Sequence, residues 1–509
     1  MLPQQLEEAA VKARGTTVNK WFDRLPTRWL AVPAIVAWAI AAIFLLEKRP
    51  YGLDEGGARA VGLLWSVAQQ VATPIVTLGV PDFRAAWLAP VGILLPGSIV
   101  AARILALLLL LAAALLLFRR RAAQGEGEGA LCAAGLLLLA PGSLLQVDTI
   151  GAGPFLLISL VPGAMLFERH RDQPVTFGGA YFGLLLLCAA AASLHPAGLA
   201  LPARVLAHWA RRARPDASPQ PSYGGSPRLH ILIGVPLVTL AGVFLTKHWQ
   251  FANWLGNPLD ALAVLVPFVT QAASAALRWI VGLAIAGAIL ATVIPRRNEA
   301  MRDPLLGIMA LAFVLGLLAA DGAWAFLAFA LLLFWGFPSL LGRSPAPAGG
   351  IDLQRGLAFA VLLVACTLFL VTDRARFEHV RAGGTLDSQD EVIESLATTI
   401  ARGGKPSEAS VANTGPRVAS QWPGRTMVAC ACGALPLPPS LEDQDRFLRN
   451  LRGLDYVLFD PREPSLSGLA RNFAGIGGDR VETTTLLPGG VLLHVLPPAA
   501  SVPTPGQGT

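Results

Sequence analysis

Over residues 1–372, long uncharged stretches alternate with short polar segments, many of them basic, and beyond residue 372 the chain changes character. The first stretch, 29–46 (WLAVPAIVAWAIAAIFLL), is long enough to cross a hydrocarbon core about 30 Å thick. Twenty-eight residues precede it and no small-residue cleavage site follows before Glu47-Lys48-Arg49, so it reads as a permanent span rather than a cleaved signal. Hydropathy windows place further spans at about 98–118, 130–146, 150–167, 175–194, 197–209, 229–246, 272–294, 304–320, 323–341 and 357–372, which gives eleven helices. Several of these runs are short and interrupted by Pro or Gly.

From 373 to 509 the pattern is that of a small α/β domain. Ser388-x-x-Glu391 and Ser440-x-x-Asp443 mark helix starts, while VANTG, TMVACACG, DYVLFD and the apolar runs flanking Leu487-Pro488-Gly489-Gly490 predict strands. The expected fold is therefore a polytopic α-helical membrane domain over 1–372, followed by a small soluble α/β domain over 373–509. The last stretch, PPAASVPTPGQGT, has the composition of a disordered Pro-rich tail, and 215–227 (PDASPQPSYGGSP) that of a flexible loop.

Composition supports the membrane reading. Hydrophobic residues make up 54% of the 509, charged residues only 14%, and the mean hydropathy is +0.56. A soluble chain carries about a quarter charged residues, and one of this length could not cover its domains with so few. The net charge of +7 divides into +9 over 1–372 and −2 over the remainder. The excess base sits in short runs such as Arg119-Arg120-Arg121 and Arg296-Arg297, the pattern that sets membrane orientation, not the continuous basic face that tracks nucleic acid.

With the N-terminus inside, the segments 1–28, 119–129, 168–174, 210–228, 295–303 and 342–356 hold 19 Lys and Arg. The opposite short loops hold Lys48, Arg49, Arg59, Arg84 and Lys247. That asymmetry predicts a cytoplasmic N-terminus, and an odd number of spans then puts the C-terminal domain outside. The five cysteines predict no disulfide framework. Cys132, Cys188 and Cys366 lie in apolar stretches, and Cys430-Ala-Cys432 is too closely spaced to bridge without strain.

Ionisable groups are costly at membrane depth, so their placement is informative. Asp54, Glu55, Arg84, Asp148, His195 and Asp321 all fall on the outer face or at outer helix ends in this topology. Asp321, in a short turn, reads as a helix-end residue, and His195 before Pro196 fits a helix end as well as a functional site. The first outer loop, Pro50-Tyr-Gly-Leu-Asp-Glu-Gly-Gly-Ala-Arg-Ala-Val-Gly-Leu-Leu-Trp65, puts paired carboxylates at the start of an apolar helix, where the helix N-terminus favours negative charge. Capping alone accounts for one carboxylate, not two.

Here the chain resembles the GT-C superfamily of polyprenyl-phosphate-sugar glycosyltransferases, in particular its protein O-mannosyltransferase and aminoarabinose-transferase branch. That branch has a first span, an outer loop with an Asp-Glu pair opening a helix, and a Pro-containing stretch ending in Trp-Leu before the second span. Pro81-Asp-Phe-Arg84-Ala-Ala-Trp87-Leu88 is similar to that stretch, and Gly97-Ser-Ile-Val-Ala-Ala-Arg103 with the following Leu/Ala run is similar to the second span. Asp148 falls where the family often has an Asp, and Ser193-Leu-His195-Pro196-Ala-Gly198 takes the place of a Thr-Lys-Gly-Pro turn. The family's lysines are absent from both turns, and the usual Tyr after Asp-Glu is missing.

The resemblance implies an inverting transferase that moves a sugar from a polyprenyl-phosphate donor to an acceptor hydroxyl on the outer, periplasmic side of a bacterial inner membrane. Such chemistry needs a carboxylate to take the acceptor proton and cations to stabilise the departing phosphate. In this frame Asp54 is the base, and Glu55 orients the acceptor or shares a divalent cation with Asp148, hard oxygen ligands suiting Mg²⁺ or Mn²⁺. Arg84, Arg59 and His195 are the candidates for the donor phosphate. The 247–271 loop, with Trp249, Phe251 and Trp254, has the composition of an aromatic belt. The alternatives are a transporter or flippase of lipid-linked saccharides, or a GT-C-like protein that has lost catalysis and binds a partner. Against transport stand the absence of an inverted pair of broken spans and the gathering of charge at one face rather than at the midplane.

Overall fold

The computed structural model describes residues 53–68, 83–95, 97–170, 178–212, 226–246, 258–263, 275–338, 366–371, 388–403, 416–476, 480–487 and 489–496, with isolated positions at 38, 360, 363 and 364. The span expected at 29–46 apart from position 38, part of that at 357–372, the loop residues 215–225 and 247–257, VANTG and the C-terminal tail lie outside these residues. Contacts gather the chain into two compact units. One comprises residues 1–47, 82–87 and 100–381, and the other 48–81, 88–99 and 382–509.

The first unit is helical. Its elements include α3 (Ile99–Ala123), α4 (Gly127–Leu139), α5 (Pro141–Asp148), α6 (Ala152–His170), α7 (Gly179–Leu194) and α8 (Ala200–Arg212). They continue with α9 (Ser226–Thr246), α10 (Pro258–Ala263), α11 (Ala275–Val293), α12 (Arg297–Arg302), α13 (Pro304–Gly316) and α14 (Gly322–Leu331). Two shorter helices precede α3 in the chain: α1 (Glu55–Ala68) and α2 (Arg84–Leu94). By length and composition, α3, α6 and α11 can each cross a membrane. The run read as one span at 130–146 is instead α4 and α5 with a 50° bend, and counting that pair as one span gives up to four. Pro141 is the cause, because it has no amide proton to continue the α4 ladder and sits at the first turn of the new helix, where none is needed. Among the described residues this falls well short of the eleven spans read from hydropathy. Helices such as α7, α13 and α14 are apolar but shorter than a span.

Two ends of this unit carry its charges. At one end, the last turn of α3 meets the last turn of α6 and the start of α13, because Arg120 pairs with Glu168 and, at 2.7 Å, with Asp303. Arg121 pairs with Glu126 and lies 5.6 Å from the centre of the Trp335 ring. All of these helix ends fall in segments that the Lys/Arg count assigned to a single face. Between the ends, α6 packs on α7, α13 and α14, where Phe155, Trp324 and Phe326 are fully buried.

The second unit holds α1 and a mixed five-stranded sheet of order β2-β1-β3-β5-β4. Its strands are β1 (Arg417–Ser420), β2 (Gly433–Pro436), β3 (Tyr456–Phe459), β4 (Val481–Leu487) and β5 (Gly490–Val495). β1 is parallel to β2 and β3, while β5 is antiparallel to β3 and β4. The period of two is visible in the burial. Val418, Tyr456, Leu458 and Leu492 pack with Val392, Ile393 and Leu396 of α15 (Ser388–Gly403) and with Trp422. Ala419, Val457, Phe459, Val491 and Leu493 face Phe447 of α17 (Gln444–Asn450) and Leu469 of α18 (Ser467–Ile476).

Three details depart from the sequence reading. TMVACACG is not a strand, because residues 423–430 form α16 (Pro423–Cys430), with Pro423 in the first turn. The helix near Ser440 begins later, at Gln444, where the Asp443 carboxylate accepts from the amides of Asp445 and Arg446. Cys430 and Cys432 are joined by a disulfide, with Ala431 between them in the left-handed region at φ 49°.

Candidate functional site

α1 begins at the paired carboxylates. Asp54 is exposed, its backbone carbonyl accepts from Ala58 at 2.8 Å, and its Oδ2 lies 3.4 Å from the Gly57 amide. Glu55 is engaged differently. Its Oε1 accepts from the Arg59 Nε at 2.8 Å and from the Gly424 amide at 2.8 Å, and its Oε2 accepts from the Arg425 amide at 3.2 Å. The carboxylate thus satisfies the first open amides of α16, an N-terminal cap supplied from 369 residues away. Burial pushes the Glu55 carboxyl above its ordinary range, while the Arg59 guanidinium and the two amides pull it down. Arg425 extends the connection, because its guanidinium pairs with the buried Asp390 and donates to Gln389 at 2.9 Å, both in the first turn of α15.

The other candidates belong to the helical unit, at the end opposite the Arg120 cluster. Asp148 closes α5, and Arg103, one turn into α3, holds it twice: its Nε lies 2.8 Å from the Asp148 carbonyl oxygen and 3.3 Å from Oδ1. Both side chains are buried, at 3% and 9% exposure, so the pair sits in low dielectric where neither charge is tolerable alone. Two residues on, Ile150 has φ 54°, a conformation a β-branched residue adopts only under constraint. The buried Arg84 supplies part of that constraint by donating to the Ile150 carbonyl at 3.2 Å. Gln146 completes the turn, its Oε1 accepting from the Gly153 amide at 3.1 Å.

His195 is 3% exposed and follows α7. Its Nδ1 accepts from the Ala197 amide at 3.1 Å, so in the neutral ring the proton sits on Nε2, which donates to Asp321 Oδ1 at 2.9 Å. The same oxygen accepts from the Trp324 amide at 3.0 Å and caps α14. Burial would raise the Asp321 carboxyl, but His195 and the α14 amides overcome it and hold the group down at about 2.

The arrangement therefore separates the sequence candidates. Asp54, Glu55 and Arg59 lie in one unit, and Arg84, Asp148 and His195 in the other. Arg84 and Asp148 share one turn, whereas His195 spends both ring nitrogens on Ala197 and Asp321. Arg103 and Asp321 were not singled out as site residues, although a lone arginine five residues into an apolar run signals a buried acid partner. Among the described residues no three His, Cys, Asp or Glu side chains come together as a metal site. The two carboxylates of the metal reading, Glu55 and Asp148, each already hold a guanidinium, a poor setting for a divalent cation.

Fold and charges define a largely helical chain with membrane-spanning helices and a small C-terminal mixed sheet. No family model matches the chain, and no curated protein does. Among solved structures it is similar to ArnT from Cupriavidus metallidurans bound to undecaprenyl phosphate. The TM-score is 0.48 and the identity 16%, over 92% of this chain and 98% of that one.

Proposed function

We propose that the protein is a membrane-embedded inverting glycosyltransferase that moves a sugar from a polyprenyl-phosphate donor to a hydroxyl of a lipid, glycan or protein acceptor. In this reading the N-terminus is cytoplasmic and the reaction runs on the outer face. The observation that carries the proposal is the unlike fate of the paired acids: Asp54 stands exposed at the start of α1, while Glu55 is held by α16 and Arg59. A carboxylate that solvent can reach is open to an incoming hydroxyl and can take its proton.

The acceptor oxygen attacks the anomeric carbon as its bond to the donor phosphate breaks, which inverts the configuration, and Asp54 takes the hydroxyl proton. The negative charge gathering on the departing phosphate calls for cations, the part given to Arg84, with Arg59 as the further candidate. Arg103 and Asp148 hold the turn against which Arg84 is placed.

The transporter reading makes a different forecast in sealed proteoliposomes given a polyprenyl-phosphate sugar on one side. A transferase produces free polyprenyl phosphate in step with glycosylated acceptor. Donor crossing the bilayer intact, with no phosphate released, would instead favour transport.

A further inference from the structure

The first-loop helix α1 is bolted to the C-terminal domain. Glu55 supplies both carboxylate oxygens to the Gly424 and Arg425 amides, and Arg59, one turn later, braces the same carboxylate. Arg425 then ties this joint to the buried Asp390 of α15. Further along, α1 packs on α16. A methyl group at Gly62 would fall 2.9 Å from the Met427 sulfur, and one at Gly424 would fall 2.7 Å from the Arg59 amide nitrogen and 2.9 Å from the Glu55 carbonyl oxygen. Backbone meets backbone there, so even a methyl must push the helices apart.

Asp54 is covalently next to this joint and sits on the same helix end. We infer that Glu55 is a positioning residue: by capping α16 it makes the C-terminal domain the anvil that fixes the helix end presenting Asp54. This rests on Asp54 being the base. The C-terminal domain then contributes to the rate without touching substrate, because a displacement of about 1 Å at a reacting group costs on the order of 10²-fold in rate.

The test compares Glu55→Gln, Glu55→Asp and Gly424→Ala with the wild-type full chain in proteoliposomes, measuring sugar transfer and, separately, amide hydrogen exchange over residues 55–68. Glu55→Gln removes the charge, and Gly424→Ala leaves every carboxylate in place but wedges the joint. The expected result is the same for both: kcat down by about 10²-fold, donor KM unchanged, and faster exchange in α1, with Glu55→Asp recovering part of the rate. If α1 loosens in Gly424→Ala while kcat is unaltered, the joint does not position the base and the inference falls. If Glu55→Gln loses kcat but Gly424→Ala keeps it, Glu55 acts directly on substrate and the inference falls again. Absence of transfer by the wild-type protein would overturn the glycosyltransferase reading itself, and this inference with it.

Discussion

The buried Arg103–Asp148 pair offers the sharpest check on the helical unit. Arg103→Met keeps the length and the apolar stem of the side chain but leaves the Asp148 carboxylate, 9% exposed, without its guanidinium, and the Asp148 carbonyl without its 2.8 Å donor. Removing one member of a buried pair costs about 3–5 kcal/mol, because the remaining charge cannot return to water. The orphaned carbonyl adds about 1 kcal/mol or more. With about 2–4 °C lost per kcal/mol for a unit of 150–250 residues, and less for a larger one, the midpoint should drop by roughly 6–15 °C. Asp148→Asn should cost less, since its amide oxygen can still accept from Arg103. The informative variant is the double one, Arg103→Met with Asp148→Asn, in which neither member of the pair leaves its charge behind. It should be clearly more stable than Arg103→Met alone. Thermal unfolding of the four proteins in one detergent, followed by circular dichroism, gives the cycle. A loss below about 1 kcal/mol for Arg103→Met, or strictly additive effects in the double variant, would refute the view that this pair is a desolvated, mutually dependent unit.

Three further outcomes follow from the geometry. Gly198→Ala should destabilise the helical unit by about 1–3 kcal/mol in the same melting assay, because the added methyl would run into the backbone carbonyl of Ala191, in the buried C-terminal part of α7. Asp321 has a carboxyl held at about 2, below its ordinary 3.8, so its contribution is complete above pH 3.8 and drains away as the pH falls towards 2. Acid titration of Asp321→Asn should lack that component, and an unchanged acid profile would contradict the His195–Asp321 pairing. In the C-terminal domain, Asp443→Ala should cost about 1 kcal/mol by removing the cap of α17, read as faster amide hydrogen exchange over residues 444–450.

What the sequence revealed, and what it hid, follows from the range of the forces involved. The runs read at 98–118 and 150–167 are local patterns, and they appear as the helices α3 (Ile99–Ala123) and α6 (Ala152–His170). DYVLFD likewise becomes β3, and the Leu487-Pro-Gly-Gly turn joins β4 to β5. TMVACACG misled because its alternation suits a strand, whereas the helix there is started by Pro423 and capped by Glu55, a residue 369 positions away that no local window can see. The 130–146 run looked continuous in a hydropathy average, which takes no account of the amide missing at Pro141. His195 was legible as unusual, but its partner Asp321 lies 126 residues on, so both ring nitrogens being occupied emerges only in three dimensions. The Asp-Glu pair was visible as a pair. That its two members have opposite surroundings, one exposed and one locked into α16, was not.

That difference between Asp54 and Glu55 is also where the function is most directly tested. Purified wild-type protein and Asp54→Asn should be reconstituted with a radiolabelled polyprenyl-phosphate sugar and a hydroxyl-bearing acceptor lipid, and the transferred label counted. The expected result is transfer with inversion at the anomeric carbon by the wild-type protein, and a loss of at least about 10²-fold in Asp54→Asn with the melting curve unchanged. Transfer at the wild-type rate by Asp54→Asn would contradict the assignment of the base.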